Sequence, residues 1–286
     1  MNHMYLFRFV LLFLLSSPVA WGASGGYGNF GTIRFTTLFD DLQVVGLEVA
    51  QKTYWITTTP ADRCRFLDGN QVAQELEHKG CVKIHEISGT NAITMERLYG
   101  STLEQVIRLP LPEAIQREIA RQLLEIVAYL QREEVLHQDI KPANFQFRDE
   151  ENTQLVLIDW DFARKFAITP KSASGTPEYV APEIFQIGRL PQLLVGKDKL
   201  GKAESWSAGI ILHEMATGRA PQGAEENIRS CWGKPNPSIT ILERGMDFER
   251  LSLPHLKLLR NLLQPNPKER WSAQEALDNS EWLREE

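Results

Sequence analysis

An α+β architecture, rich in strands through its N-terminal part and mainly helical beyond it, is what the 286-residue sequence predicts. Three observations carry this. The segments Thr32–Phe39 and Val44–Lys52 are rich in β-branched and aromatic residues and are separated by an Asp40-Asp41 turn, a strand–turn–strand pattern. Leu111–Glu134 carries Ile115, Ile119, Leu123, Ile126, Val127 and Leu130 at helical spacing behind Pro112, which reads as a long amphipathic helix with a core-facing stripe. The length, with 43% hydrophobic and 24% charged residues, allows one large domain or two lobes around a packed core.

Taken in order, the chain begins with an apolar segment, Met4–Leu15, that holds one early arginine, Arg8. Ser16-Ser17-Pro18 and small residues through Ala23 follow. A secretory signal cleaved after Gly22 is expected, since the apolar core is short for a membrane span. An uncleaved anchor or a buried first strand is the other reading. Gly26-Tyr27-Gly28-Asn29-Phe30-Gly31 fits G-x-G-x-x-G, and Ile33 follows it. Glycines there let backbone amides approach phosphate oxygens, while a flexible linker is the plainer alternative. A helix is expected from Thr59-Pro60, which suit its start, to Gly80, which suits its end.

Composition excludes several function classes. A net charge of -6 and a pI of about 5.6 argue against a nucleic-acid binder. Cys64, Cys81 and Cys231 are too few and too scattered for a disulfide framework or a zinc site, and at most one bridge can form. His85, His213 and His255 lack ligand spacing and read as packing or surface residues.

The chemistry concentrates in His137-Gln138-Asp139-Ile140-Lys141-Pro142-Ala143-Asn144 and in the apolar run Leu155-Val156-Leu157-Ile158 that ends on Asp159. A hairpin there would bring Asp139, Lys141, Asn144 and Asp159 to one mouth. Two carboxyl groups and an amide oxygen suit a divalent metal, and the ammonium suits phosphate. That is equipment for phosphoryl transfer.

This stretch resembles the H-R-D-x-K-x-x-N loop and the following D-F-G of protein kinases. Val49-Ala50-Gln51-Lys52 resembles the V-A-x-K of the third kinase strand. Gly175-Thr176-Pro177-Glu178-Tyr179-Val180-Ala181-Pro182-Glu183 is similar to the G-T-x-x-Y-x-A-P-E that ends the activation segment. Glu204–Gly218 resembles D-x-W-S-x-G-x-x-L-x-E-M-x-x-G, and Pro265–Arg270 resembles d-P-x-x-R. On these residues the chain resembles a eukaryotic-type serine/threonine protein kinase from about residue 24 to 283.

The resemblance implies a bilobal fold, with residues 24–98 as a five-stranded sheet lobe plus helix, 99–286 as a mainly helical lobe, and ATP in the cleft. Residues 1–22 would be a signal peptide or anchor. ATP and Mg²⁺ are the implied cofactors and a protein is the implied substrate. In that reading Asp139 is the base and Lys141 faces the transferred phosphoryl group, while Asn144 and Asp159 hold Mg²⁺. Lys52 grips the α and β phosphates, and Gly26, Gly28, Gly31 and Ile33 cover them. Backbone groups of Glu96 and Leu98 bind adenine behind Met95 as gatekeeper. Thr176 bonds to Asp139 and Lys141, and Arg270 pairs with Glu183. No nucleic-acid partner is expected, membrane contact only through an uncleaved N-terminal segment, and a monomer. The secretory pathway is the expected location, with cytoplasmic or membrane-anchored placement as the alternative.

Four departures matter. Gln138 replaces the arginine that reads a phosphorylated activation loop, so activity without such phosphorylation is expected, and Thr169, Ser172 and Ser174 are only candidate phosphosites. Asp161 replaces the glycine of D-F-G, which would restrict the loop or bring another carboxylate to the metal. Glu204 replaces Asp, with a methylene to absorb or a weaker tether to the catalytic loop. The helix glutamate that pairs with the strand lysine has no clear counterpart: its position falls near Gly69, with Asp68, Glu75 and Glu77 as the nearby acids. The missing helix glutamate, Asp161 and a first strand that cleavage after Gly22 would truncate leave open a pseudokinase that binds nucleotide or partners without chemistry. A small-molecule kinase is disfavoured by the intact Thr176–Glu183 segment.

Overall fold

The computed structural model describes residues 31–39, 46–55, 59–89, 91–166, 175–185, 197–219 and 251–285. The N-terminal segment read above as a signal or anchor, Gly26 and Gly28, the candidate phosphosites and Cys231 lie outside the described residues. The chain runs β1 (Gly31–Phe39), β2 (Gly46–Tyr54), α1 (Pro60–Gln74), β3 (Ile84–Ser88), β4 (Ala92–Glu96), α2 (Leu103–Val106), α3 (Glu113–Arg132), β5 (Val135–Leu136), β6 (Phe145–Phe147), β7 (Leu155–Leu157), β8 (Arg164–Lys165), α4 (Pro182–Phe185), α5 (Lys197–Thr217), α6 (Leu253–Leu262), α7 (Ala273–Asn279) and α8 (Glu281–Arg284). Short 3-10 turns occupy Pro142–Asn144 and Pro177–Tyr179. Contacts divide the chain into two compact units, one ending at Ser101 and joined by Gln146–Ala163, the other made of Thr102–Phe145 and the residues from Arg164 onward.

In the first unit the strands form an antiparallel sheet in the order β1-β2-β4-β3, with Ile33 opposite Lys52. Four strands fall on described residues where five were expected. Helix α1 starts as predicted: the Thr59 hydroxyl accepts the Asp62 N–H at 3.1 Å, and Pro60 sits in the first turn, where a missing N–H is harmless. It ends at Gln74 rather than Gly80. Gly80 serves elsewhere, donating its N–H to His78 Nδ1 and accepting the Leu157 N–H, which ties the chain to β7. Phe66 of α1 is fully buried and stacks on Tyr54 of β2 at 5.3 Å. Burial of such a ring is worth about 2–3 kcal/mol and fixes the helix to the sheet.

In the second unit α3 buries the predicted stripe, from Ile115 and Ile119 to Leu130. Helix α5 is buried on nearly all sides, with Ala208, Ile210, Ile211 and Leu212 inaccessible. Gly209 permits this, because a Cβ there would lie 2.8 Å from Leu263 Cδ2. Leu136, Phe166, Val180, Ile184, Trp206 and Ile210 form the core on which the loop before β6 rests. His213 is buried with its Nδ1 3.1 Å from the Arg219 carbonyl, and His255 stacks on Trp282 at 3.9 Å, so both are packing residues. Burial lowers the His255 pKa to about 4 and keeps it neutral. Cys64 and Cys81 are free thiols. Among the described residues no helix is long and apolar enough to cross a membrane.

Candidate active site

Two clusters contain the residues singled out from the sequence, one in each unit. In the second unit, β5 pairs with β8 and delivers the chain to His137. Gln138 then adopts φ 70, a left-handed conformation that costs a non-glycine residue on the order of 1 kcal/mol. Glu204 of α5 holds it there: its Oε1 accepts the N–H of His137 at 2.5 Å and of Gln138 at 3.0 Å. The longer side chain therefore keeps the tether expected of Asp. Gly175 passes at φ 105 so close that a Cβ would lie 2.5 Å from the Gln138 carbonyl.

The turn sets Asp139 at the centre of a small network. Its Oδ1 accepts from the Thr176 N–H at 3.0 Å and from the Thr176 hydroxyl at 2.8 Å. Its Oδ2 accepts from Asn144 Nδ2 at 2.9 Å and lies 2.8 Å from Lys141 Nζ. Lys141 also donates to Thr176 Oγ1 at 2.8 Å. Asp139, Lys141, Asn144 and Thr176 thus come together as the resemblance implied. Asn144 gives its NH₂ to the Asp139 carboxylate and carbonyl, so its Oδ1 is the atom suited to a cation.

Glu204 is also a titratable group in an unusual position. Its Oε2 is buried without a hydrogen-bond partner, and burial pushes the carboxyl up to about 7 against the opposing pull of the two N–H groups. The folded chain holds this proton to about pH 7 and the unfolded chain only to about 4.5. The folded state binds more protons in that window, so its stability falls as pH rises through it. Glu204→Gln keeps one acceptor oxygen and cannot ionise. Its stability in urea should match the parent below about pH 5 and exceed it above pH 7 by roughly 1–3 kcal/mol. A constant difference across that range would remove Glu204 as the titrating group.

In the first unit, Asp159, two residues beyond the end of β7, adopts φ 64. Lys52 Nζ of β2 contacts Asp159 Oδ1 at 2.6 Å and Asp161 Oδ2 at 2.7 Å. Burial disfavours the ammonium, but the two carboxylates outweigh that and raise its pKa, so Lys52 is charged. Asp161 Oδ1 accepts from the Tyr54 hydroxyl at 2.6 Å and from Asn70 Nδ2 at 3.1 Å. Asn70 belongs to α1, while Asp68, Glu75 and Glu77 are exposed. The expected helix acid is therefore not what meets Lys52. Nor is Asp161 a spare carboxylate, because both its oxygens are engaged. The Asp159 side chain keeps 39% of its surface accessible, whereas Asp161 keeps 1%.

Sequence reasoning missed Tyr54, Asn70 and Asp161 as one network. The signal was present as two departures that compensate each other, a glycine near the position of the helix acid and an acid at the position of the loop glycine. Gly31 and Ile33 lie on β1, Glu96 ends β4, and Leu98 is buried just beyond it. The Glu96 carboxylate accepts from the Lys83 N–H and pairs with Arg148, and its own N–H bonds to the Lys83 carbonyl.

Among the described residues no three His, Cys, Asp or Glu side chains cluster as a metal site. Mg²⁺ is commonly held by one or two carboxylates together with substrate phosphates rather than by an all-protein cage. Asp159 in the first unit and Asn144 in the second each carry a hard oxygen of the kind Mg²⁺ takes.

An ammonium held between carboxylates in the first unit, and an Asp–Lys–Asn loop bonded to a threonine in the second, are residue types that phosphoryl transfer uses. The model of the protein kinase domain matches residues 25–283, and the chain belongs to the protein kinase family. It is 28% identical over 276 residues to the serine/threonine-protein kinase DCLK3 of Mus musculus, covering 90% of this chain and 32% of the relative. A probable myosin light chain kinase of Dictyostelium discoideum is 27% identical over 282 residues, 93% of this chain and 66% of the relative. Calcium-dependent protein kinase 16 of Oryza sativa subsp. japonica is 30% identical over 208 residues, 69% of this chain and 35% of the relative. The chain thus spans about a third of the length of two of these relatives and about two thirds of the other.

Proposed function

We propose that this chain transfers the γ-phosphoryl group of ATP, with Mg²⁺, to Ser and Thr hydroxyls of protein substrates. The observation that carries this reading is the Thr176 hydroxyl, which donates to Asp139 Oδ1 while accepting from Lys141 Nζ, both at 2.8 Å. A substrate hydroxyl presented in the same way would have its proton directed at a carboxylate and its oxygen beside an ammonium. Asp139 accepts that proton, and Lys141 offsets charge on the transferred group. Lys52 grips the α and β phosphates, and Gly26, Gly28, Gly31 and Ile33 cover them. Glu96 and Leu98 offer backbone groups to adenine. Asn144 and Asp159 would each offer an oxygen to Mg²⁺, which when bound would neutralise phosphate charge. Positioning and electrostatics contribute more than proton abstraction.

A nucleotide-binding protein without transfer is the second reading, favoured by the engagement of Lys52 with Asp161 instead of a helix acid. One experiment separates them. The full chain is incubated with γ-labelled ATP, Mg²⁺ and generic basic proteins, with Asp159→Ala in parallel. Label on Ser or Thr, lost in the variant, is expected. Parent protein that transfers nothing while ATP raises its Tm would replace the kinase reading with the second one.

A further inference from the structure

We propose that Asp161 is the positioning residue for Lys52, replacing a helix-borne acid, so that the phosphate-gripping lysine is set by the same loop that carries Asp159. The proposal rests on the phosphotransfer reading above and adds to it how Lys52 is aimed.

The first support is steric. A Cβ on Gly69 would lie 2.2 Å from the Trp160 carbonyl oxygen, 3.1 Å from the Ala163 nitrogen and 3.2 Å from the Asp161 carbonyl carbon. All three are backbone atoms and cannot rotate away. Helix α1 therefore rests backbone to backbone on the loop after β7, an approach that only glycine permits. A glutamate at that position would drive helix and loop apart. The space an acid side chain at position 69 would need is filled by the loop itself.

The second support is the fixing of Asp161. One oxygen faces Lys52, and the other takes the Tyr54 hydroxyl and the Asn70 amide. Asn70 is itself anchored to the Phe66 carbonyl at 2.7 Å and lies 3.0 Å from Tyr54 Oη. Tyr54 and Lys52 sit two residues apart on β2, so their side chains leave the same face of the strand and reach the same carboxylate. Asp161 is thus held by β2 and α1 at once, and its remaining oxygen can only aim at Lys52. Charge-assisted bonds of this length, away from water, are strong and directional. Helix α1 contributes a neutral amide to the network, and the charge comes from the loop. Lys52 is consequently aimed from the loop that also carries Asp159, and Asp68, Glu75 and Glu77 are dispensable for that task.

The test uses the full chain with three alterations: Asp161→Asn, the triple change Asp68→Ala/Glu75→Ala/Glu77→Ala, and Asn70→Ala. Two readouts are taken on each, kcat and KM for phosphotransfer, and the acylation rate of the Lys52 amine by an N-hydroxysuccinimide ester, read by mass spectrometry. Asp161→Asn should lower kcat by about 10²-fold, the loss typical of a misplaced positioning group, with KM for the protein substrate little changed. It should also expose Lys52 to acylation severalfold faster. The triple variant should match the parent in both readouts. Asn70→Ala, which leaves both carboxylates on Lys52, should lower Tm yet keep the parental acylation rate. Parental acylation of Lys52 in Asp161→Asn overturns the proposal. So does a loss of kcat in the triple variant, or acylation in Asn70→Ala as fast as in Asp161→Asn, which would mean that labelling follows stability. Because acylation needs no nucleotide, a parent chain that transfers no phosphate refutes the kinase reading while leaving the Asp161 result readable.

Discussion

Asp139→Asn is expected to cut kcat for protein phosphorylation by about 10²–10⁴-fold, the range associated with a positioned acid–base group. The reason goes beyond loss of a base. The carboxylate meets four hydrogen-bond donors, two from Thr176 on one oxygen, and Asn144 and Lys141 on the other. An amide offers one oxygen and one NH₂, so whichever way it turns, its NH₂ faces a pair of donors. Leaving them unmet costs about 1–3 kcal/mol locally and pushes Thr176 or Lys141 away. ATP affinity should change little, since no nucleotide-binding role falls to Asp139. Thr176→Ala leaves the base in place and should lose far less activity. Calorimetric titration with ATP beside steady-state kinetics checks both parts. Parental kcat in the Asn variant would remove Asp139 from the reaction.

Arg270→Met should destabilise the second unit by about 3–5 kcal/mol, the cost of leaving one member of a buried ion pair alone. Arg270 is fully buried, and its guanidinium forks onto both oxygens of Glu183 at 2.6 and 2.8 Å. It also donates to the carbonyls of Gln264 and Lys202 and lies over the Trp206 ring. One side chain thus joins the end of the activation segment, helix α5 and the turn after α6. Lysine cannot substitute, because a single ammonium lacks the planar fork. The Tm should fall by on the order of 10 °C at the usual enthalpy of a domain this size. Glu183→Gln combined with Arg270→Met should lose less than the sum of the two single changes, since neither charge is then stranded. Strict additivity, or a single-variant loss below about 1 kcal/mol, would contradict this pairing.

Much of the fold and of the Asp139 cluster was legible in the sequence because the information is local. Asp139, Lys141 and Asn144 lie within six positions, and a 3-10 turn at Pro142 brings the Asn144 amide back to Asp139. The start of α1 could be read from Thr59 and Pro60, and the core stripe of α3 from its spacing, since caps and helical periodicity act over one or two turns. The end of α1 was misplaced because Gly80, which looks like a helix terminator, is spent on a bridge to β7.

What met Lys52 was decided by tertiary structure alone. Asp161 lies 109 positions away, and its role depends on how closely α1 approaches the loop after β7. That distance is set by Gly69 against the Trp160 carbonyl and by Phe66 against Tyr54. No pattern along the chain encodes such an approach. The sequence determined which charges this chain carries; the packing of one helix backbone on one loop decided which of them face each other, because burial favours an acid that reaches the lysine with both oxygens satisfied.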